Sequence, residues 1–408
     1  MMQRVALDQL KEGMVLFEEA RDINGRLLLG EGTEIKSSHI SIFKKWGVTE
    51  VSISGKVDNR EDDEIGIDFE LFERTAKNIK NIFQHAGLSH PFMKELFRLS
   101  VLHRFNADNF EPLKKVKIPE ADKPNNVIKI NLKSELSKKE ITLPEISTIV
   151  SDLNEVIDDP QSSAEDIATV VNKSPSLAAR LLKIVNSSFY GFQSKIDSIS
   201  RAVAVIGTRE IASLAIGLSA ISVFKDIPKE IADMHLFLKH SLACGLLARI
   251  IAAHNNIPQT EQLFVAGLLH DIGRVVIYKD FPDQATMLFR LCADGNELLY
   301  QEEKNWLGCK HTDVGKILLT KWNLPETLVQ SVFYHHNPSK ARDPVWPAIV
   351  HLADIIANGL GLGSSGERCV PHLDEKSLNI ISFSPGILEI IVKQATHQFT
   401  PFVSFLRE

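Results

Sequence analysis

The sequence predicts a mainly α-helical protein with a small β-containing domain at its N-terminus. Three observations carry this. At 408 residues the chain exceeds what one ordinary core holds, so two or three domains are expected. Residues 1–55 alternate short apolar runs with Gly- and Asn-bearing turns. From about residue 141 onward, apolar residues recur at three- and four-residue steps almost to the C-terminus.

In residues 13–35, GMVLFEEARDINGRLLLGEGTEI, the turns Asp-Ile-Asn-Gly and Gly-Glu-Gly are hairpin chemistry. SSHISIFKKWGV then predicts a short helix capped by Ser37 or Ser38, and TEVSIS a closing strand. Residues 56–66, KVDNREDDEIG, are a charged connector. Residues 68–105 have helical spacing, broken near Gly87–Pro91, and residues 106–140 are a further link.

Beyond it, LPEISTIVSDLNEVID, SAEDIATVVNKS, PSLAARLLKIVNSS, SISRAVAVIGTREIASLAIGLSAISVF and HLFLKHSLACGLLARIIAAHNN each predict helix. Pro160, Gly191, Gly207, Pro228 and Pro258 punctuate them. In NSSFYG, Asn186 and the serines end a helix, Gly191 is a left-handed stop and the role is structural. The domain boundaries expected are 1–55 for the β-rich part, 56–139 for a helical and charged connector region, and 140–408 for the helical domain.

Composition narrows the function. Lys and Arg number 46 against 52 Asp and Glu, a net charge of −6 that argues against a general nucleic-acid binder. Cys244, Cys292, Cys309 and Cys369 form no CxxC pair, which reads as reduced thiols in a cytoplasmic protein. No uninterrupted run of 18 apolar residues predicts a transmembrane helix, and the opening MMQRVALDQLKEGM lacks a signal peptide's apolar stretch, so no membrane association is expected. The long apolar helices near 203–224 would permit a homodimer.

The fourteen histidines are the unusual pool. His240 shares a helix face with Leu236, Ala243, Leu247 and Ile251. His270 shares one with Leu263 and Ala266, beside Asp271 in GLLHDIGRVV. His311 lies on a stripe with Gly315, Leu318 and Trp322; LPETLVQSVFYHHNP ends in His335 and His336; and Asp354 sits in the nearly all-apolar AIVHLADIIANGL. A lone histidine on an apolar face is usually a hydrogen-bonded core residue. Here five segments each turn His or Asp inward, and no buried lysine or arginine is expected to balance them. A divalent cation would satisfy all of them at once, since imidazole suits Zn, Mn, Fe or Ni and carboxylates can bridge two ions. His235, His254 and His351 read as structural or surface residues, and Arg274, Lys310 and Lys316 as ordinary solvated charges.

His240, His270-Asp271 and Asp354 together resemble the HD superfamily of metal-dependent phosphohydrolases. The resemblance assigns these four to one metal position, with Asp271 bridging. His311, His335 and His336 resemble the second-ion ligands of the HD-GYP cyclic di-GMP phosphodiesterases. The chain departs from that branch. No GYP or Glu follows the double histidine in HHNPSKARDPVWP, Arg274 replaces the usual lysine after HDIG, and Leu236 stands where some members have Glu. The upstream segment resembles the HDOD domain, the HD-related output domain of bacterial signalling proteins. PSLAARLLKIVNSSFYG and SISRAVAVIG are its most specific pieces, and the likeness covers roughly residues 140–360, with an HD-type core at about 235–360. Residues 1–55 resemble more weakly the small β domain preceding some HD-type signalling proteins, through LKEGMVL and DINGRLLLGEGTEI.

The resemblance implies a bacterial signal-transduction or regulatory protein. Its HD core would hold one or two divalent metal ions (Fe, Mn, Ni or Zn), and it would relay a signal to a protein partner or take a cyclic nucleotide ligand. The alternative it implies is a metal-dependent phosphohydrolase of a cyclic dinucleotide or nucleotide, with Asp271 as catalytic residue.

Overall fold

A computed structural model describes residues 2–7, 9–21, 27–36, 39–40, 43, 48, 50–54, 69–106, 132, 148–159, 161–187, 190–192, 194–222, 227, 231–295 and 297–404. The Asp-Ile-Asn-Gly turn, the Ser37 and Ser38 caps, the 56–66 connector and most of 106–140 lie outside these residues. The chain divides into two compact units, Met1–Asp68 and Phe69–Glu408.

In the first unit, strand Glu50–Ser54 enters the middle of an antiparallel sheet. It pairs with Met2–Ala6 on one side, Val5 opposite Val51, and with Val15–Leu16 on the other, Leu16 opposite Ile53. Ala20–Arg21 and Leu27–Leu29 form a separate antiparallel pair. Alternation turns Val51 and Ile53 toward a core with Val5, Leu16, Ile35 and Phe43.

The second unit is helical. The expected segments form helices Thr148–Asp158, Ala164–Asn172, Pro175–Val185, Ile199–Ile206, Thr208–Ser222 and Met234–His254. Local chemistry sets their ends. Ser163 and Asp166 make a reciprocal capping box, and Ser174 caps a helix with Pro175 at its first turn. Gly207 separates two helices at a φ of 116°, a conformation open to glycine. Asn186 ends its helix by donating to the carbonyls of Leu182 and Ile196 and accepting from the Ile196 amide, each at 2.7 Å. That is the structural role read from NSSFYG; Ser188 and Phe189 lie outside the described residues, and Gly191 adopts the expected positive φ of 64°. The unit begins at Phe69, so helices Phe69–Ile82 and Pro91–Asn106 of the connector region lie within it and bury Ile79, Phe92, Met93 and Leu96 in its core.

Helix Met234–His254 packs against Thr260–Leu269, Val345–Leu360 and Leu388–Ser404. Ile272–Asp280 packs on His311–Lys321, which packs on Glu326–Tyr334, which returns to Val345–Leu360. Glycines let Met234–His254 and Thr260–Leu269 cross closely. A Cβ at Gly245 would lie 2.7 Å from the Phe264 carbonyl oxygen, and one at Gly267 2.6 Å from that of Cys244. Met234–His254 is long and apolar enough to cross a bilayer, although Lys239 and Arg249 interrupt its apolar run; 72% of its most apolar window is buried in the unit. The apolar residues of Thr208–Ser222 that suggested a dimer face, among them Ile211, Leu214 and Leu218, are buried in the same chain.

Asp233 caps the central helix by accepting from the amides of His235 at 2.9 Å and Leu236 at 3.2 Å. Asp233→Ala should therefore cost about 1 kcal/mol in chemical denaturation, and Asp233→Ser a few tenths. Equal stability of all three proteins would show that the cap contributes nothing.

Candidate metal centre

The five helix segments bring all seven residues singled out in the sequence into one buried cluster. His336 is 9% exposed and the other six 3% or less. They sort into two quartets, His240, Cys244, His270 and Asp354, and Asp271, His311, His335 and His336. Within each quartet, one donor atom per residue lies within 4.8 Å of all the others. Asp271 stands between them. Its Oδ2 faces the first quartet, 3.3 Å from His270 Nε2, and its Oδ1 the second, 2.9 Å from His311 Nε2.

Hydrogen bonds outside the cluster decide how the rings present themselves. His270 Nδ1–H donates to the Gly267 carbonyl at 2.7 Å, and His335 Nδ1–H to that of Val332 at 2.8 Å. His311 Nδ1–H donates to Glu303 Oε2 at 2.6 Å, and the same oxygen accepts the His311 amide at 2.8 Å. In all three rings Nε2 is thereby turned inward as the free donor atom, the arrangement that orients metal-bound histidines. His311 Nε2 and His335 Nε2 face each other at 3.4 Å. His270 Nε2, Asp271 Oδ1 and His336 Nε2 are buried and make no hydrogen bond. Buried polar atoms without partners are costly, and a cation among them would satisfy all three. The residues present fit a metal ion.

The electrostatics of the first quartet favours positive charge. Burial would push His270 down, yet the Asp271 and Asp354 carboxylates outweigh it and raise the imidazole to about 10. Burial opposes ionisation of Asp354, but the imidazoles of His240 and His270 beside it hold it well below the usual carboxylate range. His335 and His336 are pushed well down, chiefly by burial and then by the neighbouring histidines. Burial, then the Asp354 and Asp271 charges, holds the Cys244 thiol well above its ordinary value.

Arg274 corrects the reading that no buried cation balances the cluster and that this residue is a solvated charge. It is 1% exposed. Its guanidinium donates to Asp271 Oδ2 at 3.2 Å, Glu303 Oε1 at 3.2 Å and Ser365 Oγ at 2.7 Å, and lies 3.6 Å from Glu367 Oε2. The reason is helical spacing: three residues after Asp271, Arg274 falls on the same face. Burial opposes ionisation of Glu367 and outweighs Arg274, which leaves its carboxyl at about 7.

Other residues were not foreseen. Cys244 follows His240 by four positions, so the pair shares a helix face, and this spacing could have revealed it. Glu303 lies on the buried face of its helix with Leu299, Tyr300 and Leu307, a stripe that could have revealed it, whereas Glu367 comes from a segment outside any helix. Tyr300 stacks on His336 with centroids 4.2 Å apart, and Lys310 Nζ lies 4.8 Å from the Tyr300 centroid, so Lys310 is not freely solvated. His351, read as structural, donates from Nδ1 to the His335 carbonyl at 2.7 Å and accepts the Asp374 amide at 2.9 Å. It holds the double-histidine turn from outside the cluster.

Residues 143–338 match the family model of the HDOD domain, a span that includes every cluster residue except Asp354. The chain is 25% identical over 212 residues to an uncharacterized protein of Treponema pallidum (strain Nichols), covering 52% of this chain and 41% of that one. The match thus spans about two fifths of that relative's length. Among solved structures, an HDOD domain protein of unknown function from Geobacter sulfurreducens superimposes with a TM-score of 0.56 at 24% identity, covering 68% of this chain and 96% of that one. A candidate phosphohydrolase from Shewanella amazonensis SB2B gives 0.54 at 20%, covering 69% and 100%. A candidate signal transduction protein from Marinobacter aquaeolei VT8 gives 0.54 at 19%, covering 72% and 69%. At these identities the structural likenesses establish the fold.

Proposed function

We propose that this chain, which carries an HDOD domain over residues 143–338, is a bacterial signal-transduction protein whose helical core holds one or two divalent metal ions and which relays a signal to a protein partner. One observation carries the reading: inward Nε2 atoms and unpartnered carboxylate and imidazole atoms converge in two quartets. His240, His270 and Asp354 would hold the first ion, His311, His335 and His336 the second, with Asp271 serving both. Fe, Mn, Ni and Zn all suit such donors. Bound there, an ion would neutralise the carboxylates and tie five helix segments together, so that occupancy changes the stability of the whole unit. The protein is cytoplasmic in this reading, acts neither at a membrane nor on nucleic acid, and takes a cyclic nucleotide, if any, as a signal. Residues 1–55 would form a regulatory or docking domain, 56–139 a connector region and 140–408 the HDOD output domain.

Two features favour regulation over hydrolysis. The quartets are buried, and Arg274, the cation nearest Asp271 in sequence, is committed to carboxylates instead of being free for a phosphate. A second reading, a metal-dependent phosphohydrolase with Asp271 as catalytic residue, draws support from the one oxygen that Asp271 offers to each quartet.

Elemental mass spectrometry of the full chain, purified without an affinity metal column, tests both. The expected result is one to two equivalents of Fe, Mn, Ni or Zn, lost in His270→Ala/Asp271→Ala, with no cyclic dinucleotide hydrolysed by the loaded protein. Substoichiometric metal in both proteins would overturn the metal reading. Metal-dependent turnover would replace regulation with the second reading.

A further inference from the structure

We propose that Cys244 is a ligand of the first metal position, which makes that position a two-histidine, one-thiolate, one-carboxylate site selective for a thiophilic tetrahedral ion, zinc over manganese or magnesium. The inference rests on the metal-site reading above, gives the fourth donor of the first position to Cys244 in place of Asp271, which then serves the second position alone, and adds what that reading leaves open, the identity of the ion. Cys244 Sγ lies 3.5 Å from His240 Nε2, one turn along the same helix, and is fully buried. His240 Nε2 and His270 Nε2 lie 3.2 and 3.5 Å from Asp354 Oδ1. A tetrahedral zinc site, with bonds of about 2.0–2.3 Å, separates its donors by roughly 3.3–3.8 Å. These three of the six donor separations are therefore close to those of a closed four-ligand site, and the other three lie within 4.8 Å.

The rival role for Cys244 is a small core residue whose thiol donates weakly to His240. That role accounts for one contact and leaves the His270 Nε2 atom, in a residue 0% exposed, without a hydrogen bond. A shared ion accounts for all four donors. The two quartets would then differ in kind. The second holds Asp271 and three imidazoles and no sulfur. Thiolate favours zinc, whereas manganese and magnesium favour oxygen-rich sites. The first position should therefore retain zinc when the second exchanges it. Coordination forms a metal–sulfur bond and releases the thiol proton to solvent, with no change of oxidation state.

Cobalt(II) added to the metal-free full chain provides the test. It reports its ligands by absorption: visible bands mark binding, and a near-ultraviolet charge-transfer band marks a thiolate. The wild type should show both as the first equivalent binds. Cys244→Ser should keep the visible bands and lose the near-ultraviolet band. Visible bands without a thiolate band in the wild type would overturn the role of Cys244 while leaving a metal site. A thiolate band that survives in Cys244→Ser would overturn it as well, by placing the sulfur elsewhere. Absence of all cobalt bands in the wild type would overturn the metal reading, and this inference with it.

Discussion

Arg274→Met should destabilise the metal-free chain by about 3–5 kcal/mol in chemical denaturation, the range expected when one partner of a buried ion pair is removed. The guanidinium sits 3.2 Å from Asp271 and from Glu303 and 3.6 Å from Glu367, with all four side chains 3% exposed or less. Methionine fills much of the volume but leaves three carboxylates without their shared cation. The cost is then the desolvation of unpaired charge, with little contribution from a cavity. A further comparison isolates this. In the Arg274→Met background, Glu303→Gln together with Glu367→Gln should recover about half the loss or more, because it removes the charges left unpaired. Arg274→Lys should fall between, since an ammonium keeps the charge but cannot reach several oxygens with a planar fork. A loss below about 1 kcal/mol for Arg274→Met would mean that the guanidinium does not organise this cluster.

The contrast between Arg274 and the seven cluster residues shows what the sequence could and could not reveal. Helical periodicity marks which side chains turn inward, and it did so for His240, His270, His311 and Asp354, all of them buried. It is silent on which inward groups meet, because meeting depends on how helices cross. Arg274 and Cys244 were within reach, each one turn from a recognised residue, but a basic side chain on a helix is usually solvated and a cysteine in a core is usually inert. Glu367 was not within reach, and Glu303 only as far as its place on a face with Leu299, Tyr300 and Leu307. Glu303 lies in the polar YQEEKNWL, and only the packing of that helix brings it to His311 and Arg274. The N-terminal unit gives the same lesson. TEVSIS was legible as a strand, yet its place in the middle of the sheet is a matter of long-range pairing.

The structure also explains how histidines on separate helices come to present the same ring nitrogen. Each acceptor that fixes an Nδ1 proton is supplied locally. Gly267 precedes His270 by one turn, Val332 precedes His335 by one turn, and Glu303 stands before the start of the His311 helix. The carbonyl acceptors are those left open where a helix ends, so two of the three orientations follow from placing the histidine at a helix C-terminus. This places the histidines at ends instead of middles, and it makes the cluster sensitive to how those ends abut.

That sensitivity concentrates at Gly273, where helix Ile272–Asp280 meets helix His311–Lys321. A Cβ there would overlap the His311 carbonyl oxygen and come within 2.7 Å of the Gly315 nitrogen. Both obstacles are backbone, so the helices must separate before any side chain can be accommodated. Gly273→Ala should therefore cost about 3 kcal/mol or more, at or beyond the upper end of ordinary overpacking. Gly315→Ala is the matched control. Its added Cβ would meet Val332 Cγ1 at 2.9 Å, a side chain that can shift, and the expected cost is about 1 kcal/mol. The two also differ in what they do to the metal centre. His311 begins the helix that Gly273→Ala displaces, and its Nε2 lies 2.9 Å from Asp271. At a temperature where this variant stays folded, the second quartet should lose its ion while the first, held by Met234–His254, Val345–Leu360 and His270 at the end of Thr260–Leu269, keeps its own. Metal content would then fall from two equivalents toward one. A Gly273→Ala protein within about 1 kcal/mol of wild type and fully loaded would mean that the two helices can part without cost, and that the site does not depend on their contact.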